Sequence, residues 1–190
     1  WDINKSAGGR SGGSASALAS GQVFLATGND LGGSLRTPAG FNGVVGLRPS
    51  PGLIPRGDRY MPFDTLWVEG PMARTVEDLA LMLDSMVGHD IGDPLSFNSK
   101  KGCFIESLKK DLNPISIAVS EDLNLVPVDS EIREVFKTAI KKLSKYGFDI
   151  NDDIPDFSGV LDAFKTLRGV LMASMLGDLV NTHKDSILED

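Results

Sequence analysis

Apolar residues in this chain fall into short groups whose spacing changes along the sequence. Val76, Leu79, Ala80, Leu83 and Val87 recur every three or four positions and predict a helix with one buried face. Thr75 is placed to cap it, Glu77 and Asp78 suit the positive end of its dipole, and Gly88 stops it. The same spacing over about Glu131 to Tyr146 predicts a second helix, capped by Asp129 or Ser130 and ended by Gly147. Ile132, Val135, Phe136, Ala139, Ile140 and Leu143 are its expected buried face. Asp156 to about Val180 reads as a third helix. Ser14 to Ser20, built of small residues and stopped by Gly21, reads as a short one. Brief apolar runs at Val23–Thr27, Ile115–Val119 and Phe148–Ile150 predict strands, the first of them buried. Alternating strands and helices make an α/β pattern.

Two stretches carry no such period. Gly28 to Gly33 reads as a turn-rich loop, and residues 89–114 read mostly as loop. Between Pro38 and Pro55, prolines and glycines recur so often that irregular backbone is expected, with Val44–Leu47 as a brief strand. Phe41, Val44, Val45, Leu47, Leu53 and Ile54 run through that stretch, so it reads as a rigid packed site rather than as disorder.

Composition narrows the function. The 190 residues are 41% hydrophobic and 24% charged, the profile of a soluble globular domain with a real core. The net charge of −7 argues against binding a phosphate backbone, and no direct nucleic-acid contact is expected. Lys137, Lys141, Lys142 and Lys145 fit one solvated helix face. Cys103 is the only cysteine, so neither an internal disulfide nor a cysteine-based zinc site can form, and it reads as a small apolar filler. A cytoplasmic location is expected, and no apolar run reaches the roughly 20 residues of a membrane span. The chain opens at Trp1 without a methionine and reads as an internal piece of a longer polypeptide.

The chemistry gathers between Gly8 and Pro49. Gly32-Gly33-Ser34 sets a hydroxyl behind two residues with almost no bulk, so a substrate carbonyl could approach the backbone closely. Successive N–H groups of Leu31, Gly32, Gly33 and Ser34 could converge on one oxygen and stabilise the oxyanion formed when a serine attacks an amide. Such a serine needs a base. His89 and His183 sit in polar contexts that suit surface residues, and no Gly-x-Ser-x-Gly surrounds Ser34, which leaves a Ser–Lys arrangement as the alternative. Gly8 to Gly13 lacks the Gly-Lys-Ser/Thr ending of a phosphate loop. Met61, Phe63 and Trp67 are candidates for lining a substrate pocket or for plain core packing.

Gly8-Gly9-Arg10-Ser11-Gly12-Gly13-Ser14-Ala15 resembles the glycine/serine loop of the amidase-signature family. Gly28-Asn29-Asp30-Leu31-Gly32-Gly33-Ser34-Leu35-Arg36-Thr37-Pro38-Ala39 is similar to the second half of the signature. Gly43 to Ser50 and Gly70 to Asp78 are similar to further family elements. The resemblance covers roughly residues 1–90. It implies an α/β/α sandwich with a mixed central sheet, incomplete at the N-terminus. A single partial domain would span 1–190, with the signature core at about 5–80 and a peripheral α/β segment at about 110–190. It further implies cleavage of carboxylic amides by a Ser–Ser–Lys triad, with a small-molecule amide as substrate and neither cofactor nor metal.

By that resemblance Ser34 is the acylating serine, and Leu31 to Ser34 form the oxyanion hole. Asp30 and Arg36 are structural supports of the loop. The bridging serine, which in the family sits in a cis peptide, is replaced by Arg10, and the neighbouring Ser11 is the candidate substitute. The triad lysine maps upstream of Trp1. An arginine side chain stays protonated at any working pH and cannot relay a proton. Three functions remain open: a stand-alone amidase impaired by Arg10, the amidase component of a tRNA-dependent amidotransferase, and a non-catalytic relative. A homo-oligomer is left open as well.

Overall fold

The computed structural model describes residues 4–57, 59–100, 102–111 and 115–186. Lys101 and residues 112–114, part of the loop expected over 89–114, lie outside the described residues. The chain divides into two compact units, Trp1–Lys110 with Asp162–Asp190, and Asp111–Leu161. The terminal helix therefore groups with the signature segment rather than with the strand–helix–strand that precedes it.

In the first unit, α1 (Gly12–Ala19) leads to β1 (Leu25–Asp30), α2 (Arg36–Asn42), β2 (Val45–Gly46), β3 (Val68–Ala73), α3 (Val76–Met86) and the short α4 (Cys103–Ser107). The strands form one antiparallel sheet in the order β1–β3–β2. In the β1–β3 register Leu25 faces Ala73, Gly28 faces Gly70 and Asp30 faces Val68. Ala15, Leu18, Leu35, Ala39 and Met72 form the core beneath this sheet. Ile54, Leu83 and Val87 form a second cluster against α3.

Thr75 caps α3 as expected, its hydroxyl accepting the N–H of Asp78 at 3.1 Å. Buried Asp84 of α3 caps α4 in turn, accepting the N–H groups of Phe104 at 3.1 Å and Ile105 at 2.9 Å. The structure departs from two sequence readings here and adds two elements, β3 and α4. The first strand starts at Leu25 and absorbs Gly28 to Asp30, expected as loop, and Phe24, expected to be buried in it, is 81% exposed. Residues 36–42 are helical despite Pro38, which stands in the first turn, where a missing N–H breaks no intrahelical bond. β3 does not show in the sequence because Gly70-Pro71 reads as a turn. α4 does not show because it is only five residues long.

The second unit holds β4 (Ser116–Val119), α5 (Ser130–Lys145) and β5 (Asp149–Asp152), with β4 and β5 parallel. Asp129 caps α5 by accepting the N–H of Glu131 at 2.8 Å. The expected apolar face is there, but no α5 residue is buried. Phe136, Ile140 and Leu143 are half-buried, whereas Ile132, Val135 and Ala139 are exposed, because a two-stranded sheet covers only one flank of the helix. α6 (Val160–Thr182) follows, with a 3-10 turn at Lys184–Ser186. No helix among the described residues is long and apolar enough to cross a membrane.

Candidate active site

Ser34 stands where the two glycine-rich segments of the first unit meet. The loop carrying it leaves the end of β1, turns at Gly33 and enters α2. Gly33 has a φ of +111°, a backbone state that side-chain-bearing residues rarely adopt. A Cβ on Gly9 would lie 4.0 Å from the Ser34 hydroxyl oxygen, so the first loop passes directly beside the candidate nucleophile.

What fixes Ser34 is the residue after it. Leu35 is fully buried and fills a notch in the sheet below. Gly28 and Gly70, opposite one another in the β1–β3 ladder, make that notch. A Cβ on Gly28 would come within 2.9 Å of Leu35, and one on Gly70 within 2.5 Å. The glycines thus permit a close approach of loop to sheet.

Asp30 fixes the loop from the other side. It is fully buried, and its carboxylate accepts the N–H of Gly33 at 2.8 Å and of Leu35 at 3.4 Å. Arg36 donates to it through Nε at 2.9 Å and Nη2 at 3.1 Å. Arg48 donates through Nη1 to the same carboxylate at 3.1 Å and to the Asp30 carbonyl. The other nitrogen of Arg48 reaches the carbonyl of Leu66 at 2.9 Å, tying the loop to the segment that leads into β3. Burial pushes the Asp30 carboxyl up. Hydrogen bonds from Arg36, Gly33 and Leu35 and the Arg36 charge outweigh it and bring the group down to about 2. Asp30 and Arg36, the residues read from the sequence as supports of the loop, are ion-paired at 2.9 Å. Arg48 is a second cation on the same carboxylate that sequence reasoning missed, although it stands within the Gly43–Ser50 motif.

The four candidate oxyanion donors are not equivalent. The Gly33 N–H is engaged by Asp30. Those of Gly32 and Ser34 have no hydrogen-bond partner among the described residues, and neither does the half-buried Ser34 hydroxyl. Gly32 is exposed, and α6 passes close to it: a Cβ there would meet the ring of Phe164 at 3.3 Å. Farther along α6, Leu167 and Leu171 line an apolar cleft of about 330 Å³ with Tyr60, Met61, Phe63 and Leu66. Met61 and Phe63 line this cleft, and Trp67 is not among its lining residues.

Trp67 carries arginines instead. The guanidinium of Arg56 lies over its indole at 4.8 Å from the ring centre, and that of Arg10 at 5.7 Å. Arg56 is neutralised by Asp64 at 3.6 Å and Glu69 at 3.4 Å. Arg10 is exposed and makes no ion pair with a described residue. Ser11, the candidate substitute, is 6% exposed and committed elsewhere. Its hydroxyl donates to the Asn29 carbonyl at 3.3 Å and accepts the Asn29 N–H at 3.2 Å, fastening α1 to β1. Every peptide bond among the described residues is trans, including those around Arg10, where the resemblance implied a cis bond. No cluster of histidine, cysteine and acidic side chains suited to a metal occurs among the described residues.

Comparison with known proteins identifies the family. The sequence profile of the family described as Amidase matches residues 1–185. The chain is 39% identical over 147 residues to a glutamyl-tRNA(Gln) amidotransferase subunit from Alcanivorax borkumensis, covering 77% of this chain and 30% of that protein. It thus spans under a third of the length of the curated relatives it matches. Among solved structures it is similar to a bacterial aryl acylamidase of the amidase-signature family, with a TM-score of 0.84 and 28% identity, over 96% of this chain and 38% of that one. It is also similar to the corresponding glutamyl-tRNA(Gln) amidotransferase subunit from Thermotoga maritima, with a TM-score of 0.75 and 29% identity, over 88% and 37% of the two chains. The chain belongs to the Amidase family, whose enzymes carry the amidase signature.

Proposed function

We infer that Ser34 is the acyl-accepting nucleophile of an amide-cleaving centre, held short of normal activity in this chain by Arg10. One observation carries the reading: an uncommitted serine hydroxyl sits on a loop immobilised on both sides, by Leu35 in its glycine notch and by Asp30 with two arginines. Attack of the Ser34 oxygen on an amide carbonyl would create an oxyanion, for which the free N–H groups of Gly32 and Ser34 are preorganised donors. Loss of the amine would leave an acyl-serine, and water would release the carboxylic acid. The serine proton needs an acceptor. The resemblance assigns that role to a lysine reached through a bridging hydroxyl, and a guanidinium at position 10 cannot relay the proton. The apolar cleft farther along α6 suits an acyl or aryl substituent.

The test is Arg10→Ser in the complete polypeptide that the gene encodes, assayed for release of 4-nitroaniline from its acetanilide. Restoring a proton relay should raise the rate by at least about tenfold. An unchanged rate, or one that survives Ser34→Ala, rejects the reading.

A second reading is favoured by the relatives named as glutamyl-tRNA(Gln) amidotransferase subunits. In that case the same acyl-serine chemistry would serve to free nitrogen for transfer to an acceptor, and other proteins of the assembly would be the partners.

A further inference from the structure

We propose that Arg10, held on Trp67, is a carboxylate-binding group at the mouth of the Ser34 site, so that the site takes ligands bearing a free carboxylate. The inference deepens the proposed function and rests on its reading of the Ser34 loop as the ligand site.

Position comes first. Gly9 borders the Ser34 hydroxyl, and Arg10 is the next residue. Trp67 immediately precedes Val68, the ladder partner of Asp30, so it stands at the end of the sheet from which the Leu31–Ser34 loop departs. The Arg10 guanidinium over that indole is therefore held at the same edge of the sheet as the candidate nucleophile.

Charge comes second. Arg36, Arg48, Arg56 and Arg59 all pair with carboxylates in this unit. Arg10 is exposed and has no such partner among the described residues, in a chain whose net charge is −7. Stacking on Trp67 restrains the side chain without neutralising it. A guanidinium restrained in this way keeps its donor fork for a planar oxyanion, and a carboxylate accepts two parallel hydrogen bonds from it. A carboxylate is also what amide cleavage would release, so the substitution turns a relay position into one that retains the acid.

Isothermal titration of the complete polypeptide with benzoate and with benzamide, its neutral isostere, tests this. Benzoate should bind at least tenfold more tightly than benzamide, and raised salt should shrink the difference. Arg10→Ser should abolish the preference, and Trp67→Leu should cut benzoate affinity at least threefold. Trp67→Leu decides the matter if Arg10→Ser does not fold. Equal binding of the two probes, or a preference that survives the substitution, overturns the proposal. Covalent labelling of Ser34 separates the two readings. A benzoate preference without any labelling would keep the anion site and reject the amide-cleaving centre. Labelling in Arg10→Ser without a benzoate preference in the native chain would do the reverse.

Discussion

Gly28 and Gly70 face each other across the β1–β3 ladder, and the side chain of Leu35 occupies the space that two side chains would otherwise fill. A Cβ on Gly70 would stand 2.3 Å from the Leu47 carbonyl and 2.5 Å from Leu35, neither of which can yield without moving backbone or core. One on Gly28 would meet the Ser11 hydroxyl at 2.7 Å. Gly70→Ala should destabilise the chain by about 3 kcal/mol or more, and Gly28→Ala by about 1–3 kcal/mol. Thermal denaturation followed by circular dichroism ranks the two. Equal and negligible losses would mean that the notch does not hold Leu35.

Ser11 bridges both backbone groups of Asn29, so its hydroxyl serves structure. Ser11→Ala leaves the half-buried backbone N–H and carbonyl of Asn29 short of a partner and should cost about 1–2 kcal/mol. It should leave the reactivity of Ser34 in Arg10→Ser unchanged. Loss of that reactivity at unchanged stability would instead make Ser11 the relay.

Asp30 makes the site sensitive to acid. Its folded-state pKa lies below the ordinary 3.8, at about 2, so its contribution is fully present above about pH 4. As the pH falls from there through about 2, on the order of 2 kcal/mol is lost. Asp30→Asn should flatten that part of the stability profile. It should also cost about 1–3 kcal/mol at neutral pH, because Arg36, Arg48 and the N–H groups of Gly33 and Leu35 lose their shared carboxylate. A variant profile parallel to the native one over about pH 2–4 would contradict this.

Arg59 and Asp93 form a buried ion pair at 2.7 Å, with side chains 1% and 0% exposed, that ties the segment before β3 to the loop after α3. Asp93 also accepts the N–H groups of Arg56 at 3.0 Å and Leu95 at 3.0 Å. Arg59→Met alone should cost about 3–5 kcal/mol by stranding the carboxylate. Arg59→Met with Asp93→Leu should cost less than the sum of the two single changes, which denaturant titration of the three variants would show. Strict additivity would mean that the charges do not act as a pair.

The helices α3 and α5 could be read from spacing and caps because Thr75 and Asp129 act locally, each on an N–H two or three residues away. β3 and α2 could not. The Gly70-Pro71 pair means strand only because Gly28 lies opposite, and Pro38 means helix only because it falls in a first turn. The site was legible as a motif. Ser34, Asp30 and Arg36 stand together, while the parts set by distant packing did not show. Arg48 reaches Asp30 across 18 residues, and Trp67 meets Arg10 through the sheet. The exposure of Ile132 and Val135 was hidden for a related reason: periodicity reports that a helix has an apolar face, not what covers it.

The most direct test is intact-mass labelling of the complete polypeptide with a serine-reactive fluorophosphonate, in the native form, in Arg10→Ser and in Arg10→Ser with Ser34→Ala. The account predicts one added label on Ser34 in Arg10→Ser, little or none in the native form, and none in the double variant. Equal labelling of Ser34 in the native form would show that Arg10 does not hold the serine back. No labelling of Arg10→Ser would contradict the assignment of Ser34 as the nucleophile.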